Sequence, residues 1–225
     1  MSSRINFYNY YGTRETILQT AFHMQANGGA TFYRASIVEK FVHLKNFYIK
    51  LNTAKASGKP LSPDLISIDI LDLHFELIPD YVKICIFFEN FMKSVLLQQE
   101  FLIHSILKTD NCKLLAKQQN RQPVSLVELH NTEAFIVSSS SEIFHNSLGE
   151  KTISISTLLC AEYQKVIQLP AEVAGFIIQL NKKRNVLHSY HDLDFELSDD
   201  FFKNMADTIS FVNMLFNKDK DSYLN

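Results

Sequence analysis

Three side chains near the end of the sequence could together carry out acid–base chemistry on a phosphate. Arg184, His188 and His191 follow one another at intervals of four and three residues. In an α-helix, at about 100° per residue, these intervals place all three on one stripe. A histidine titrates near neutral pH and can move a proton, whereas an arginine stays charged and can bind phosphate oxygens. The spacing therefore predicts a cationic stripe suited to a phosphate ester.

The apolar residues before this stripe indicate where it points. Val173, Ile177 and Leu180 precede Arg184 on the same helical face and are expected to face the core. Charged and polar groups are rarely placed on a core-facing stripe without partners. The change from apolar to cationic residues after Leu180 therefore marks the candidate site of this chain.

Helices are predicted to position this site. Apolar periodicity and capping signals indicate helices over 13–25, 31–51, 80–108, 157–168 and 170–191, and a last helix starting after Ser198. Ser198 is the expected N-cap, with Asp199 and Asp200 in the first turn. The predicted fold is mainly α, an antiparallel helical bundle with a small irregular or β accessory segment.

Local signals set several boundaries. Thr13 is the expected N-cap of the first helix and Gly28-Gly29 its stop signal, while Pro79 opens the longest helix. Alternating residues over 66–77 favour a strand, and 53–63 is predicted to be an exposed connection. The stretch 109–156 is expected to be a loop-rich insertion, with a capping-box turn at Ser125 and Glu128.

Composition limits the class of protein. A chain of 225 residues with 46% hydrophobic residues can bury one sizeable core, and a net charge of −2 gives no general attraction to nucleic acid. The three cysteines form no close pair and are expected to be reduced thiols. No secretory signal and no run of about 18 apolar residues is visible. We therefore expect a cytoplasmic protein without a membrane partner.

The candidate site resembles the marker of the HEPN superfamily, an arginine and a histidine separated by four to six residues, often with asparagine directly after the arginine. Arg184-Asn185 supplies the first half of this marker. His191 fits as R-x6-H, whereas His188 gives R-x3-H, which is one residue short. The resemblance implies an all-α bundle over 61–225, with the insertion at 109–156 and an N-terminal helical extension over 1–60.

The predicted long helix resembles the first bundle helix of the same superfamily. Phe88-Glu89 is followed there by Lys93 and by Leu96-Leu97. Glu89 could pair with Arg184 or a histidine of the site, or with Lys93 one turn away at the surface.

Many HEPN proteins are metal-independent ribonucleases, so the resemblance implies an endoribonuclease that needs no cofactor and no metal. His191 or His188 would be the acid or base, and Arg184 would stabilise charge on the phosphate. Asn185, Lys183 and Glu89 complete the expected substrate-binding set. The implied partners are RNA, a second copy of the chain in a homodimer, and a protein partner such as an antitoxin in a prokaryotic toxin or defence system.

Three other interpretations stay open. The chain could be a non-catalytic HEPN-like module that binds a protein partner or a nucleotide. The two histidines could simply be polar residues at a helix end, where cations are favoured. His191-Asp192 also fits an HD-type metal phosphohydrolase, which needs further ligands; His130 and His145 do not show the matching pattern.

Overall fold

Helices dominate this chain in the computed structural model, which describes residues 4–34, 37–58, 68–107, 112–132, 135–186 and 197–222. The described helices are α1 (Phe7–Tyr11), α2 (Arg14–Arg34), α3 (Ile37–Ala56), α4 (Ile68–Gln98), α5 (Cys112–Gln119), α6 (Leu126–His130), α7 (Ile155–Leu158), α8 (Ala161–Ile167), α9 (Ala171–Val186) and α10 (Asp199–Ser222). The described strands are β1 (Ile5–Asn6), β2 (His104–Ile106), β3 (Phe135–Val137), β4 (Ile143–His145) and β5 (Leu148–Thr152). The predicted mainly α fold with a small β accessory is confirmed.

The chain divides into two compact units. The first unit comprises Met1–Thr31 and Ile86–Leu169, and the second comprises Phe32–Cys85 and Pro170–Asn225. The domain boundary predicted at residue 60 lies outside the described residues and stays a prediction. Among the described helices, none is both long enough and apolar enough to cross a membrane.

The first unit contains the strands. β1, β4 and β3 form an antiparallel sheet in which β4 is central, and β2 pairs with β5 in a second antiparallel sheet. Ile5 lies opposite His145 in the first sheet, and His104 lies opposite Thr152 in the second. The segment predicted to be an irregular insertion therefore holds three of the five described strands, and the N-terminal residues complete one of its sheets.

The second unit is built around aromatic side chains. Phe201 on α10 lies with its ring centroid 5.7 Å from that of Phe176 on α9 and 6.3 Å from that of Tyr81 on α4. Edge-on aromatic contacts at such distances add to the burial of apolar surface. Through these rings the start of α10 packs against α9 and α4.

The second unit also buries a carboxylate. Asp80 is 1% exposed, and it accepts hydrogen bonds from Lys40 at 2.7 Å and from Lys83 at 2.9 Å. Two ammonium groups compensate the cost of removing this charge from water.

The helix stop predicted at Gly28-Gly29 is wrong, because α2 continues to Arg34. A Cβ atom added at Gly28 would lie 3.3 Å from the Phe87 ring. Gly28 therefore allows α2 to approach α4 closely within the first unit, and its small size matters more than its conformational freedom. The N-cap predicted at Thr13 is confirmed, since its hydroxyl accepts from the Thr16 amide at 3.2 Å.

The strand predicted over 66–77 is wrong from residue 68 onward, since α4 begins at Ile68. Ile68, Leu71, Phe75 and Ile78 also recur at helical spacing, and the alternation concealed this second pattern. Pro79, predicted to open the helix, lies inside it. α4 also ends at Gln98, about ten residues before the predicted end.

Other predicted boundaries have mixed outcomes. The capping box at Ser125 and Glu128 is confirmed at the start of α6. The helix predicted over 157–168 is divided into α7 and α8, and the predicted connection over 53–63 begins with the last turn of α3.

Candidate functional site

The predicted stripe begins on α9 as expected. Val173, Ile177 and Leu180 are all buried, and Arg184 follows in the last helical turn with its side chain half-buried. The core-facing side of α9 therefore changes from apolar to cationic at its C-terminal end. A cation at this position also interacts favourably with the helix dipole.

A pocket lies where α9 ends and α10 begins. Its volume is about 360 Å³, and the α9 residues that line it are Phe176, Gln179, Leu180 and Lys183. The α10 side contributes Ser198, Asp200, Phe201 and Asn204. Lys183 is thus the predicted site residue that lines the pocket among those the structure describes.

The sequence predicted both helices that line this pocket, but it did not predict that these two helix faces meet. On α9, Phe176, Leu180 and Lys183 recur at intervals of four and three, and on α10, Asp200 and Asn204 are four apart. Each set shares one helical face. Gln179, Asp200, Phe201 and Asn204 were missed as site residues because the sequence does not show which two faces meet.

The start of α10 is fixed as predicted. The Ser198 hydroxyl accepts from the Phe201 amide at 3.2 Å, and Asp199 and Asp200 follow in the first turn. This cap determines where the Ser198 and Asp200 side chains enter the pocket.

The remaining residues of the predicted motif cannot be placed beside Arg184. His188 and His191 lie outside the described residues, and Asn185 belongs to α9 by its backbone but its side chain is not described. Their convergence with Arg184 stays a prediction.

Glu89 belongs to the first unit, where it is paired with Lys93. This i, i+4 pair was one of the two alternatives expected from the sequence, but it is not a surface pair as predicted. Lys93 is only 4% exposed, and its ammonium also donates to the Thr152 hydroxyl at 2.7 Å. Binding of a substrate by Glu89 would therefore have to break a partly buried ion pair.

A buried hydrogen-bonded pair lies near this ammonium. The Tyr11 hydroxyl accepts from the Ile103 amide at 3.3 Å and shares a short hydrogen bond with His104 Nδ1. His104 is a neutral imidazole in this pair, because burial disfavours its charged form. Burial, and then the Lys93 charge, lower the pKa of His104 to about 4.

His145, in the other sheet, is also a neutral imidazole. It is fully buried, its Nδ1 accepts from the Ser147 amide at 3.2 Å, and its Nε2 bonds to the Thr132 hydroxyl at 3.2 Å. Burial, and then His130, lower its pKa to about 4. Both ring nitrogens are thus engaged, and this imidazole supports the sheet.

The HD-type interpretation requires a set of metal ligands. Within the part of the chain that the structure describes, no group of three or more His, Cys, Asp or Glu side chains could hold a metal ion. His191 and Asp192, on which that interpretation depends, lie outside it.

Comparison with known proteins identifies no relative of this chain. The chain matches no protein-family model, no curated protein and no solved structure.

Proposed function

We propose that this chain is a HEPN-like, metal-independent endoribonuclease that works in the cytoplasm as a homodimer, in a prokaryotic toxin or defence system. The observation that carries the proposal is the end of α9. There the buried residues Val173, Ile177 and Leu180 give way to Arg184, next in sequence to Lys183, which lines a pocket.

The residue types suit RNA cleavage through the 2′-hydroxyl. In the proposed reaction His191 removes or supplies the proton, His188 supports it, and Arg184 stabilises the charge that develops on the phosphate. Asn185 orients the scissile phosphate and Lys183 binds the RNA beside it. None of these steps requires a metal ion.

The test uses the purified full chain and end-labelled single-stranded RNA in the presence of EDTA. We expect cleavage that leaves 2′,3′-cyclic phosphate ends, and we expect Arg184→Ala to abolish it. Arg14→Ala removes an exposed arginine from the start of α2 and serves as the matched control, with cleavage retained.

Three results would contradict the proposal. The first is that the chain cleaves no RNA, and the second is that Arg184→Ala is inactive because it has lost thermal stability. The third is that activity is lost in EDTA and restored by Mg²⁺ or Mn²⁺. The last result would favour the HD-type phosphohydrolase.

The second candidate is a non-catalytic HEPN-like module that binds a nucleotide or a protein partner. The observation that favours it is the mixed charge of the pocket, where Asp200 accompanies Lys183. A carboxylate at this position opposes a long polyanion but suits a smaller ligand with hydrogen-bond donors. Binding of a nucleotide without cleavage of RNA would identify this function.

A further inference from the structure

Three histidines of the first unit lie against one short segment of the chain. The segment is Ile5–Tyr11, which forms β1 and α1 and is called the β1–α1 segment from here on. Histidine is the side chain whose charge changes most readily near neutral pH, so the attachment of this segment can depend on pH. The three contacts are Ile5 opposite His145 in the β1–β4 pair, the Phe7 ring with its centroid 5.0 Å from that of the His130 ring, and the Tyr11 hydroxyl bonded to His104.

The hydrogen bonds of His145 require a neutral ring. Its Nδ1 accepts from the Ser147 amide at 3.2 Å, and a backbone amide N–H can only donate. Protonation of Nδ1 would set two N–H groups against each other inside the fold, and it would place a charge near His130. Because His145 lies opposite Ile5, this disruption acts on the β1–β4 pair.

A charge on His104 is unfavourable for a different reason. The ring is buried, and the Lys93 ammonium, which already pairs with Glu89, repels a second positive charge. The Tyr10 and Tyr11 rings of α1 lie edge-on to it, with centroids 4.8 and 5.6 Å from that of His104. Departure of the β1–α1 segment would uncover this side of the ring, so hydration of a protonated His104 favours that departure.

The β1–α1 segment can leave without dismantling the rest of the first unit. β1 pairs with β4 over two residues, whereas β4 also has a three-residue pairing with β3 on its other side. Short elements with few paired backbone groups open locally at a lower free energy than the whole domain. At neutral pH the burial of Ile5, Phe7 and Tyr11 keeps the segment closed. We propose that the β1–α1 segment is an acid-released latch, which detaches from the first unit when His104 and His145 become protonated.

The size of the effect follows from the protons that the open state binds. A hydrated histidine titrates near pH 6.5, whereas the pKa of His104 and of His145 is about 4 with the latch closed. The open state therefore binds more protons between these two values. Lowering the pH from about 7.5 to 5 should raise the equilibrium constant for opening by about 25-fold for each histidine that becomes hydrated, and by about 600-fold for both.

Native-state hydrogen exchange of the full chain separates opening of the latch from global unfolding. Each observed exchange rate is divided by the intrinsic rate at the same pH, which gives the constant for opening. We expect the amides of β1 and α1 to open more often than those of α4 in the first unit. Their opening constant should rise on acidification and stay unchanged in low concentrations of urea, because a local opening exposes little surface. Equal opening constants and equal urea dependence in the latch and in α4, or a latch constant independent of pH, would overturn the proposal.

Matched variants assign the protons to the buried histidines. His104→Gln removes one proton-binding ring and should reduce the rise in the opening constant from about 600-fold to about 25-fold. His23→Gln removes an exposed histidine from α2 in the same unit and should keep the full rise. The exchange of the unmodified protein tests the latch even if His104→Gln fails to fold. A full rise in folded His104→Gln, or its loss in His23→Gln, would assign the protons to other groups and overturn the proposal.

Discussion

Acidification should lower the stability of the first unit through His104 and His145. Both imidazoles are buried and neutral, with a pKa of about 4 in the folded chain, whereas an unfolded chain protonates histidine near pH 6.5. Between about pH 6.5 and pH 4 the unfolded state therefore binds more protons than the folded state, so stability falls as the pH falls through this window. Above the window the contribution is fully present.

The size of the effect follows from the two pKa values. Lowering the pH from about 7.5 to 5 should reduce the free energy of unfolding by about 2 kcal/mol for each histidine, or about 4 kcal/mol for both. The total stability of a domain is only about 5–15 kcal/mol, so this loss is readily measured. Urea unfolding followed by circular dichroism across this pH range gives the slope directly.

Variants separate the two contributions. His104→Gln should lower the pH dependence of the unfolding free energy by about half, while His23→Gln, an exposed histidine on α2 in the same unit, should keep the dependence of the unmodified protein. NMR titration of the His104 ring provides an independent measurement that needs no variant. A ring that titrates near pH 6.5 in the folded protein, or an unchanged slope in His104→Gln, would refute the reasoning.

Four further outcomes are expected. His191→Ala should remove RNA cleavage and His188→Ala should only reduce it, because His191 matches the spacing of the resembled motif; the reverse order in a cleavage assay would assign the site to the shorter spacing. Light scattering should show a dimer, since two copies related by a two-fold axis can complete a sparse catalytic set, and a monomer at working concentration contradicts this. Gly28→Val should lower stability by about 1–3 kcal/mol in thermal unfolding, because its side chain would meet Phe87. Gly175→Ala should raise stability by about 0.5–1 kcal/mol, because alanine favours a helix and the added Cβ would meet no described atom within 4 Å apart from its chain neighbours and the nearby backbone of α9. A lower melting temperature would contradict this.

The sequence was most informative where a structure depends on adjacent residues. The caps at Thr13, Ser125 and Ser198 were predicted correctly because each is made by residues within three positions of the cap. The buried face of α9 was also predicted correctly, because Leu180 belongs to a simple helical repeat of apolar residues.

The errors arose where distant parts of the chain decide the outcome. The sequence around Gly28 shows a stop signal, yet α2 continues through it, and the nearby ring of Phe87 explains why a small residue stands there. The pairing of β1 with β4 joins residues far apart in the sequence, which local patterns cannot reveal. The pocket needs both α9 and α10, so single-helix patterns identified Lys183 but missed Asp200.

The pairing of β1 with β4 has a consequence for the order in which this protein can form during synthesis. The strand that contains Ile5 has no pairing partner until the residues around His145 have been synthesised. At about 5–20 residues per second, a ribosome needs roughly 7 to 28 seconds to make the intervening chain. Throughout that time the apolar residues of β1 and α1, including Phe7, emerge without the sheet that later buries them. The first unit therefore cannot complete its fold as its N-terminal residues appear, and a chain stopped before β4 exposes an unpaired strand that is open to wrong pairing.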